Sequence, residues 1–395
     1  MERLVYLDHA ATTPLHPQAL QAMLPYLGAS FGNPSATYAM AKDAAEAVRA
    51  ARATVAGILG CRPLEVVFTS GGTESINTAI KGVAFQQKLA HAGNHIVTST
   101  IEHHAVLHAC QYLERFGFEV TYVPVDGHGV AAPDDVARAI TPQTALVSIM
   151  TANNEVGTIE PIFEIAAAVR ARASQLGKRI PFHTDAVQAP NSLPMNFAGH
   201  GIDLLSLAAH KFRGPKGVGV LYIRRGVPFL AQQNGGGQER QRRAGTENVA
   251  GIVGMTEALR ITQEHLVEDR ARIGAMAMRL RERLLATIPH ATLNGHPAQR
   301  LANNVSISFD GANARDLLDD LDAAGIALSA GAACGATTLE PSHVLLAMSV
   351  PLEQAAATLR FSLGHDSTGA DIDYALDVLP AVVERSRSKR LAPAG

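Results

Sequence analysis

Several things are scarce in this chain, and each scarcity removes a class of function. There is no basic excess: 34 lysines and arginines face 36 aspartates and glutamates, for a net charge of -2. So balanced a chain lacks the electrostatic footprint of a nucleic-acid binder. Cysteine is limited to positions 61, 110 and 334, with no paired spacing. A disulfide framework is therefore not expected, and free thiols suit a reducing compartment. No stretch offers eighteen uninterrupted apolar residues, so no membrane span is expected. The opening MERLVYLDHAATTP has neither the apolar segment of a secretory signal nor the Arg/Ser-rich pattern of a transit peptide. Internal repeats and low-complexity tracts are missing too. Together these absences point to the cytoplasm.

What the chain does have is length and alternation. Its 395 residues, 47% of them hydrophobic, exceed one ordinary core and predict two lobes. EVVFTS (65–70), HIVTST (95–100), EVTYVPV (119–125), ALVSIM (145–150) and IPFHTDA (180–186) read as strands. Ala-rich helical stretches separate them, and GIDLLSLA and GVGVLYI add further strands. That alternation predicts βαβ units and a largely parallel sheet covered on both faces. Residues 246–286 read as mostly helical and link the lobes. Beyond them NNVSISF, ARDLLDDLDAAG and ATLRFSLG predict a smaller α+β lobe. The short charged run ERQRR at 239–243 reads as a solvated loop.

In an open α/β sheet, ligands sit at the carboxyl ends of the strands, and unusual polar residues occupy those ends here. FTSGGTES leaves a strand through Gly71 and Gly72 and enters a helix at Thr73. Backbone N–H groups there can cradle a phosphate, although Gly-Gly-Thr alone is equally an ordinary turn and N-cap. HTDAVQA puts Asp185 at a strand end with Gln188 three residues on; in isolation such an Asp is more often a cap. LLSLAAHKFRGPKG ends another apolar run with His210 and Lys211. A lysine so placed is usually a surface residue. Beside a buried carboxylate and a phosphate site, its pKa falls and its amine becomes a nucleophile.

EHHAVLHAC sets His104 and His108 on one helical face, close to His103 and Cys110. No zincin glutamate and no CxxC pair accompanies them, so no metal is expected. Cys110, inside an apolar helical pattern, reads as packing, and Cys61 as a helix-end or turn residue. Phosphate cradle, acid, lysine and histidine converge on pyridoxal phosphate. That cofactor needs a Schiff-base lysine, an anion beside its pyridine nitrogen, a phosphate nest and a flat group against the ring.

The segments YLDHAATTP (6–14), FGNPSA (31–36), FTSGGTES (68–75), EHHAVL (102–107), ANNEVGTIEPI (152–162) and HTDAVQA (183–189) carry a resemblance. It continues through AHKFRGPKGVGVLY (209–222), GGGQERQRRAGTEN (235–248), AACG (332–335), EPSHVLLAM (340–348) and LRFSLG (359–364). In this order and spacing the chain resembles cysteine desulfurases of the NifS/IscS type, in the class V aminotransferase group of fold-type I pyridoxal-phosphate enzymes. The resemblance implies an α/β fold of two domains. A large cofactor-binding domain would span 15–255 with a mostly parallel seven-stranded sheet. Residues 1–14 and 256–395 would form a smaller α+β domain. It also implies conversion of L-cysteine to L-alanine, with the sulfur left as a persulfide on Cys334. An acceptor protein, such as an iron–sulfur scaffold, would then take that sulfur.

The same resemblance implies roles. Lys211 would hold the cofactor, Asp185 would partner the pyridine nitrogen and Gln188 the ring hydroxyl. His103 would stack on the ring and move protons. Gly72, Thr73 and His210 would hold the phosphate, and Thr246 would reach the phosphate of the neighbouring subunit, making a homodimer with shared sites. Asn154 and Arg360 would bind the amino-acid carboxylate region, with Asn33 nearby. Cys334 lies in SAGAACGATTLEPSHVLLAM (329–348), whose small residues predict a loop; the resemblance makes it the sulfur carrier. This chain departs from the family at Ala208, where a phosphate-binding Ser is usual, and at His9 and Gln241, where Asn and Gly are common. Action on selenocysteine, another class V aminotransferase reaction, or a non-enzymatic sulfur-delivery scaffold are the alternatives.

Overall fold

The computed structural model describes residues 4–330 and 341–391. Cys334, and with it the expected nucleophile, lies outside the described residues. In chain order the strands are β1 (Val5–Tyr6), β2 (Val66–Thr69), β3 (His95–Ser99), β4 (Glu119–Val123), β5 (Thr144–Ser148) and β6 (Phe182–Asp185). They continue as β7 (Leu204–Ala208), β8 (Gly219–Ile223), β9 (Ala291–Leu293), β10 (Asn304–Phe309), β11 (Ile326–Ala327) and β12 (Thr358–Ser362).

The central sheet has seven strands in the order β2-β8-β7-β6-β5-β3-β4. The pairs β3/β4, β3/β5, β5/β6 and β6/β7 are parallel, whereas β8 runs antiparallel to both β2 and β7. The carboxyl ends of β2, β3, β5, β6 and β7 therefore share one edge of the sheet. β5, β6, β7 and β8 are buried along their whole length, as expected where helices cover both faces. Alternation divides the side chains between the two faces of the sheet. Val66, Phe68, Leu205 and Leu207 meet the helices Ala39–Leu59, Ile162–Gln175 and Val249–Glu264 on one face. Val67 and Leu204 join Ile76, Val83 and Val106, on the helices Gly72–Leu89 and His104–Glu114, on the other.

A second core forms around the antiparallel sheet β12-β10-β9. Ile307 and Phe361 of that sheet pack against Leu280, Leu317 and Leu379, from helices Leu266–Thr287, Ala314–Ala323 and Gly369–Leu391. The N-terminal Val5 and Leu7 belong to this core as well, and β1 pairs in parallel with β11.

One expectation needs correction. ERQRR is not a solvated loop: Glu239 is buried, and Arg52 grips its carboxylate through two bonds of 2.6 Å each. The cause is the free edge of β2. Glu239 accepts from Phe68 N at 3.1 Å, while Arg52 and Arg240 donate to Val66 O at 2.7 and 2.8 Å. Side chains thus satisfy backbone groups that would otherwise need another strand. The segment adopts left-handed backbone at Glu239, Arg240 and Gln241 (φ 47°, 57° and 62°) to do so.

Candidate active site

The shared strand ends open into a cleft of about 540 Å³ whose lining includes His103, Asp185, Gln188, Lys211 and Arg360. Residues from distant parts of the sequence meet here because each follows a strand, or lies in one, that reaches this edge.

β2 ends in the Gly71 turn, and the helix Gly72–Leu89 begins at once. Glycine is required by close approach. A Cβ at Gly72 would stand 3.0 Å from Val187 Cγ2 and 3.2 Å from Ala208 Cβ. One at Gly219 would fall 2.7 Å from the Gly71 carbonyl carbon. The helix N-terminus therefore presents its free N–H groups to the cleft. Thr73 and His210 lie beside it, together with Thr12 and Lys216, around a second open hollow. Ala208 lines the cleft where a hydroxyl would have faced it.

Asp185 ends β6 and is buried; its Oδ1 accepts from Val187 N at 2.9 Å. Burial raises its pKa to about 6, against the pull of that hydrogen bond and of the Lys211 charge. Two residues earlier His183 sits inside the sheet, its ring nitrogens 2.8 Å from Ser148 Oγ and 2.9 Å from Ser206 Oγ. Those bonds cross-link β5, β6 and β7 and fix the strand that aims Asp185.

Lys211 follows β7 in a single 3-10 turn. Its Nζ donates to Ala10 O and Ala11 O, both at 2.7 Å. Burial lowers its pKa to about 8, aided by the Arg360 charge and opposed by Asp8 and Asp185. Gln188 Nε2 also donates to Ala10 O, at 3.0 Å, and His210 Nδ1 lies 3.2 Å from Thr12 Oγ1. The N-terminal segment thus meets the amine, the amide and the imidazole together.

His103 is the N-cap of helix His104–Glu114, and its Nδ1 accepts from Ala105 N at 3.0 Å. The neutral ring therefore carries its hydrogen on Nε2. Desolvation in the cleft, then the Lys211 charge and the neighbouring imidazoles, lower its pKa to about 4. The shared face expected for His104 and His108 is present, with ring centroids 5.0 Å apart; His343 stands 4.7 Å from His104.

From the smaller core, β12 brings Arg360. Its Nη2 lies 2.8 Å from Asp8 Oδ1, Nη1 donates to Asn154 O at 3.1 Å, and Nε is buried without a partner among the described residues. Asn154 itself lines the cleft. Two expected residues do not: Asn33 is exposed and its Oδ1 accepts from Ser35 N, and Thr246 is exposed on the protein surface.

The sequence reading missed four acids and polar groups around the cleft. Asp8 pairs with Arg360. Glu102 is fully buried, taking hydrogen bonds from Ser99 Oγ at 2.7 Å and Met150 N at 2.9 Å, and burial pushes its pKa to about 8. Glu155 is buried and bonded by Ser342 Oγ; burial raises its pKa to about 7, with Ser342 and Arg360 opposing. EHHAVL and ANNEVGTIEPI held Glu102 and Glu155, but neither acid shows a chemical task until its partner is seen.

The donor set fits pyridoxal phosphate: an amine of lowered pKa, a buried carboxylate, a glycine-tight helix start and an arginine with a spare N–H. Comparisons agree. Residues 5–375 match the aminotransferase class-V family. The cysteine desulfurase IscS of Methanosarcina thermophila is 49% identical over 98% of this chain and 93% of its own length. The cysteine desulfurase of Cereibacter sphaeroides is 46% identical over 100% and 99%. A solved NifS-like protein superposes with a TM-score of 0.90 at 36% identity, covering 97% of this chain and 100% of that one. The chain belongs to the class-V aminotransferase family, and within it to the pyridoxal-phosphate-dependent cysteine desulfurases.

Proposed function

We propose that the cleft converts L-cysteine to L-alanine and leaves the sulfur as a persulfide on Cys334. The observation that carries this reading is the meeting of the Lys211 amine, Asp185 and Arg360 in one cleft, in a chain of this family. A related solved protein, SspA, 36% identical with a TM-score of 0.78 over 91% of this chain and 98% of its own, is described in complex with cysteine.

Lys211 would hold the cofactor, Asp185 would face its ring nitrogen and Gln188 its ring hydroxyl. His103 would lie against the ring, and Gly72, Thr73 and His210 would hold the phosphate. When bound, the cofactor supplies an electron sink for negative charge at the substrate Cα. Arg360 and Asn154 orient the amino-acid carboxylate; the Arg360 fork suits it. With a pKa near 8, Lys211 has a neutral fraction at pH 7 and can take the Cα proton. His103 Nε2 can exchange a proton with the substrate thiol. Cys334 thiolate attacks the substrate sulfur: the S–S bond forms as the Cβ–S bond breaks, the electron pair left at Cβ takes a proton, and Lys211 returns a proton to Cα to give alanine.

Several coarser points extend this reading. Thr246 would serve the cleft of a second copy, in a homodimer. Its exposure away from the cleft of its own chain, on a segment tied by the Arg243–Glu74 ion pair at 2.8 Å, supports that assignment. Asn33 would act near the substrate from a similarly exposed position. We also assign residues 15–255 to one domain and 1–14 with 256–395 to the other, because Val5 and Leu7 pack in the smaller core. The free thiols of Cys61 and Cys110 suit the cytoplasm. Among the described residues no helix is long and apolar enough to cross a membrane. A sulfur-acceptor protein, such as an iron–sulfur scaffold, would take the persulfide.

The test is Cys334→Ser in the cofactor-loaded enzyme. A serine hydroxyl is too weakly acidic to replace the thiolate near neutral pH. Cysteine should still perturb the cofactor absorbance, while alanine and sulfide formation fall to background. Sulfide release at the parental rate, or a persulfide trapped on Cys61 or Cys110, would refute the assignment.

A further inference from the structure

Glu155 is an awkward residue for a cleft that must take up a carboxylate. It lines the space beside Asn154 and near Arg360, and its negative charge would repel the substrate. Its carboxyl is instead committed to the Ser342 hydroxyl, and both residues are buried. The same Ser342 oxygen accepts from Leu345 N at 3.2 Å and so caps the helix His343–Ala347. The next residue, His343, donates from Nε2 to the carbonyl of Glu102 at 3.0 Å, directly before His103. On the other side of the 331–340 stretch, Ser329 N and O bond the backbone of Arg360 at 3.4 and 2.7 Å. The described residues on either side of that stretch are therefore fixed to the turns and strand that carry His103, Asn154 and Arg360.

A buried carboxyl is retained only where specific partners offset its desolvation. Here the partner is not a substrate-facing group but the first helical anchor after the stretch that contains Cys334. We propose that Glu155 is a positioning residue for the sulfur-transfer step, acting by fixing Ser342, which follows the stretch that contains Cys334 in the sequence. This rests on the reading of Cys334 as the nucleophile. A tethered thiol attacks at a rate set by how often its chain presents it in line with the substrate sulfur, so loosening one anchor lowers that rate without touching substrate binding.

The experiment uses the cofactor-loaded enzyme and separates two readouts. Cysteine binding is followed by the cofactor absorbance, and transfer by alkylation and mass spectrometry of the persulfide on Cys334. Ser342→Ala should bind cysteine at parental concentrations yet form the persulfide about 10-fold more slowly, a loss typical of a small misplacement. Ser342→Thr, which keeps the hydroxyl, should restore the rate to within about twofold. Glu155→Leu should slow transfer as well, and the loss in the double variant should be smaller than the product of the two single losses, because the Glu155–Ser342 bond is shared while Ser342 also caps the helix. If Ser342→Ala does not fold, Glu155→Gln is measured instead: its neutral amide makes a weaker bond, and transfer should slow about threefold. Parental transfer rates, binding and transfer lost in parallel, or multiplicative losses in the double variant would each overturn the proposal. Full turnover by Cys334→Ser would instead remove the reading beneath it.

Discussion

The wall of the cleft built by the large sheet and the wall supplied by the smaller core reach the same space by different routes. On the sheet side, Gly72, Asp185 and Lys211 follow or end buried strands, and the His183 bonds to Ser148 and Ser206 lock three of those strands together. On the other side, Arg360 arrives on β12, and residues of the N-terminal segment meet it through Asp8. The first wall is placed by local rules of a parallel sheet. The second is placed by contacts spanning almost the whole chain. The difference suggests a division of labour, in which the sheet wall carries the bond-breaking chemistry and the other wall selects and orients the amino acid.

The largest effect should come from the sheet wall. Lys211→Ala removes the group proposed to hold the cofactor and take the Cα proton, so alanine formation should fall by about 10³-fold or more. Borohydride reduction followed by mass spectrometry should find pyridoxyl on Lys211 in the parental protein. Modification at Lys216 or Lys42 instead would move the centre of the chemistry.

On the facing wall, Arg360→Gln should act mainly on binding. It removes the fork proposed to hold the substrate carboxylate and takes from Asp8 its Arg360 partner. The KM for cysteine should rise by about 30-fold, some 2 kcal/mol, with a smaller change in kcat. A fall in kcat at constant KM would break the proposed division.

The sheet wall should also be the more acid-sensitive, through His183. Burial holds this histidine near a pKa of about 3, well below its value in the unfolded chain. Because the folded-state pKa is depressed, the unfolded state binds the proton first. The neutral form's contribution is complete above about pH 6.5 and is lost as pH falls towards 3. Between pH 7 and 5 this amounts to about 2 kcal/mol. Urea midpoints at the two pH values should draw closer in His183→Gln, which cannot take up that proton. An unchanged difference would mean that other groups govern the acid limit.

The smallest effect concerns Ala208. A serine there would offer a hydroxyl beside Gly72 and His210, tightening cofactor retention by about 1 kcal/mol. Cofactor release under dialysis measures it, and equal or faster loss from Ala208→Ser would count against a phosphate at that end of the cleft.

Much of the sheet wall was legible beforehand because each element is local. Asp185 and Lys211 end runs whose apolar character already marks buried strands, and Gly71-Gly72-Thr73 is a turn and helix start in any context. The expected strands at 65–70, 95–100 and 145–150 differ from the folded ones by one or two residues at their ends. What escaped was long-range. The pairing β1 with β11 joins two-residue strands too short to carry a pattern. ERQRR looked solvated because nothing in four charged residues and a glutamine reveals the unpaired edge of β2.

By itself, then, the sequence determined the alternating α/β order, the chemical types at the strand ends and the family, since periodicity, glycine turns and motif spacing are properties of contiguous residues. Only the tertiary structure decided which acids stand alone and which are held. Asp185 and Glu102 are both buried carboxyls. Asp185 accepts from Val187 N and lines the cleft with Lys211, whereas Glu102 is held by Ser99 and Met150 N. Asp8 and Glu155 likewise acquire their partners, Arg360 and Ser342, from the far end of the chain. A carboxylate's role is set by the charge and hydrogen-bond donors within a few ångströms, and those neighbours exist only once the two cores have closed on one another.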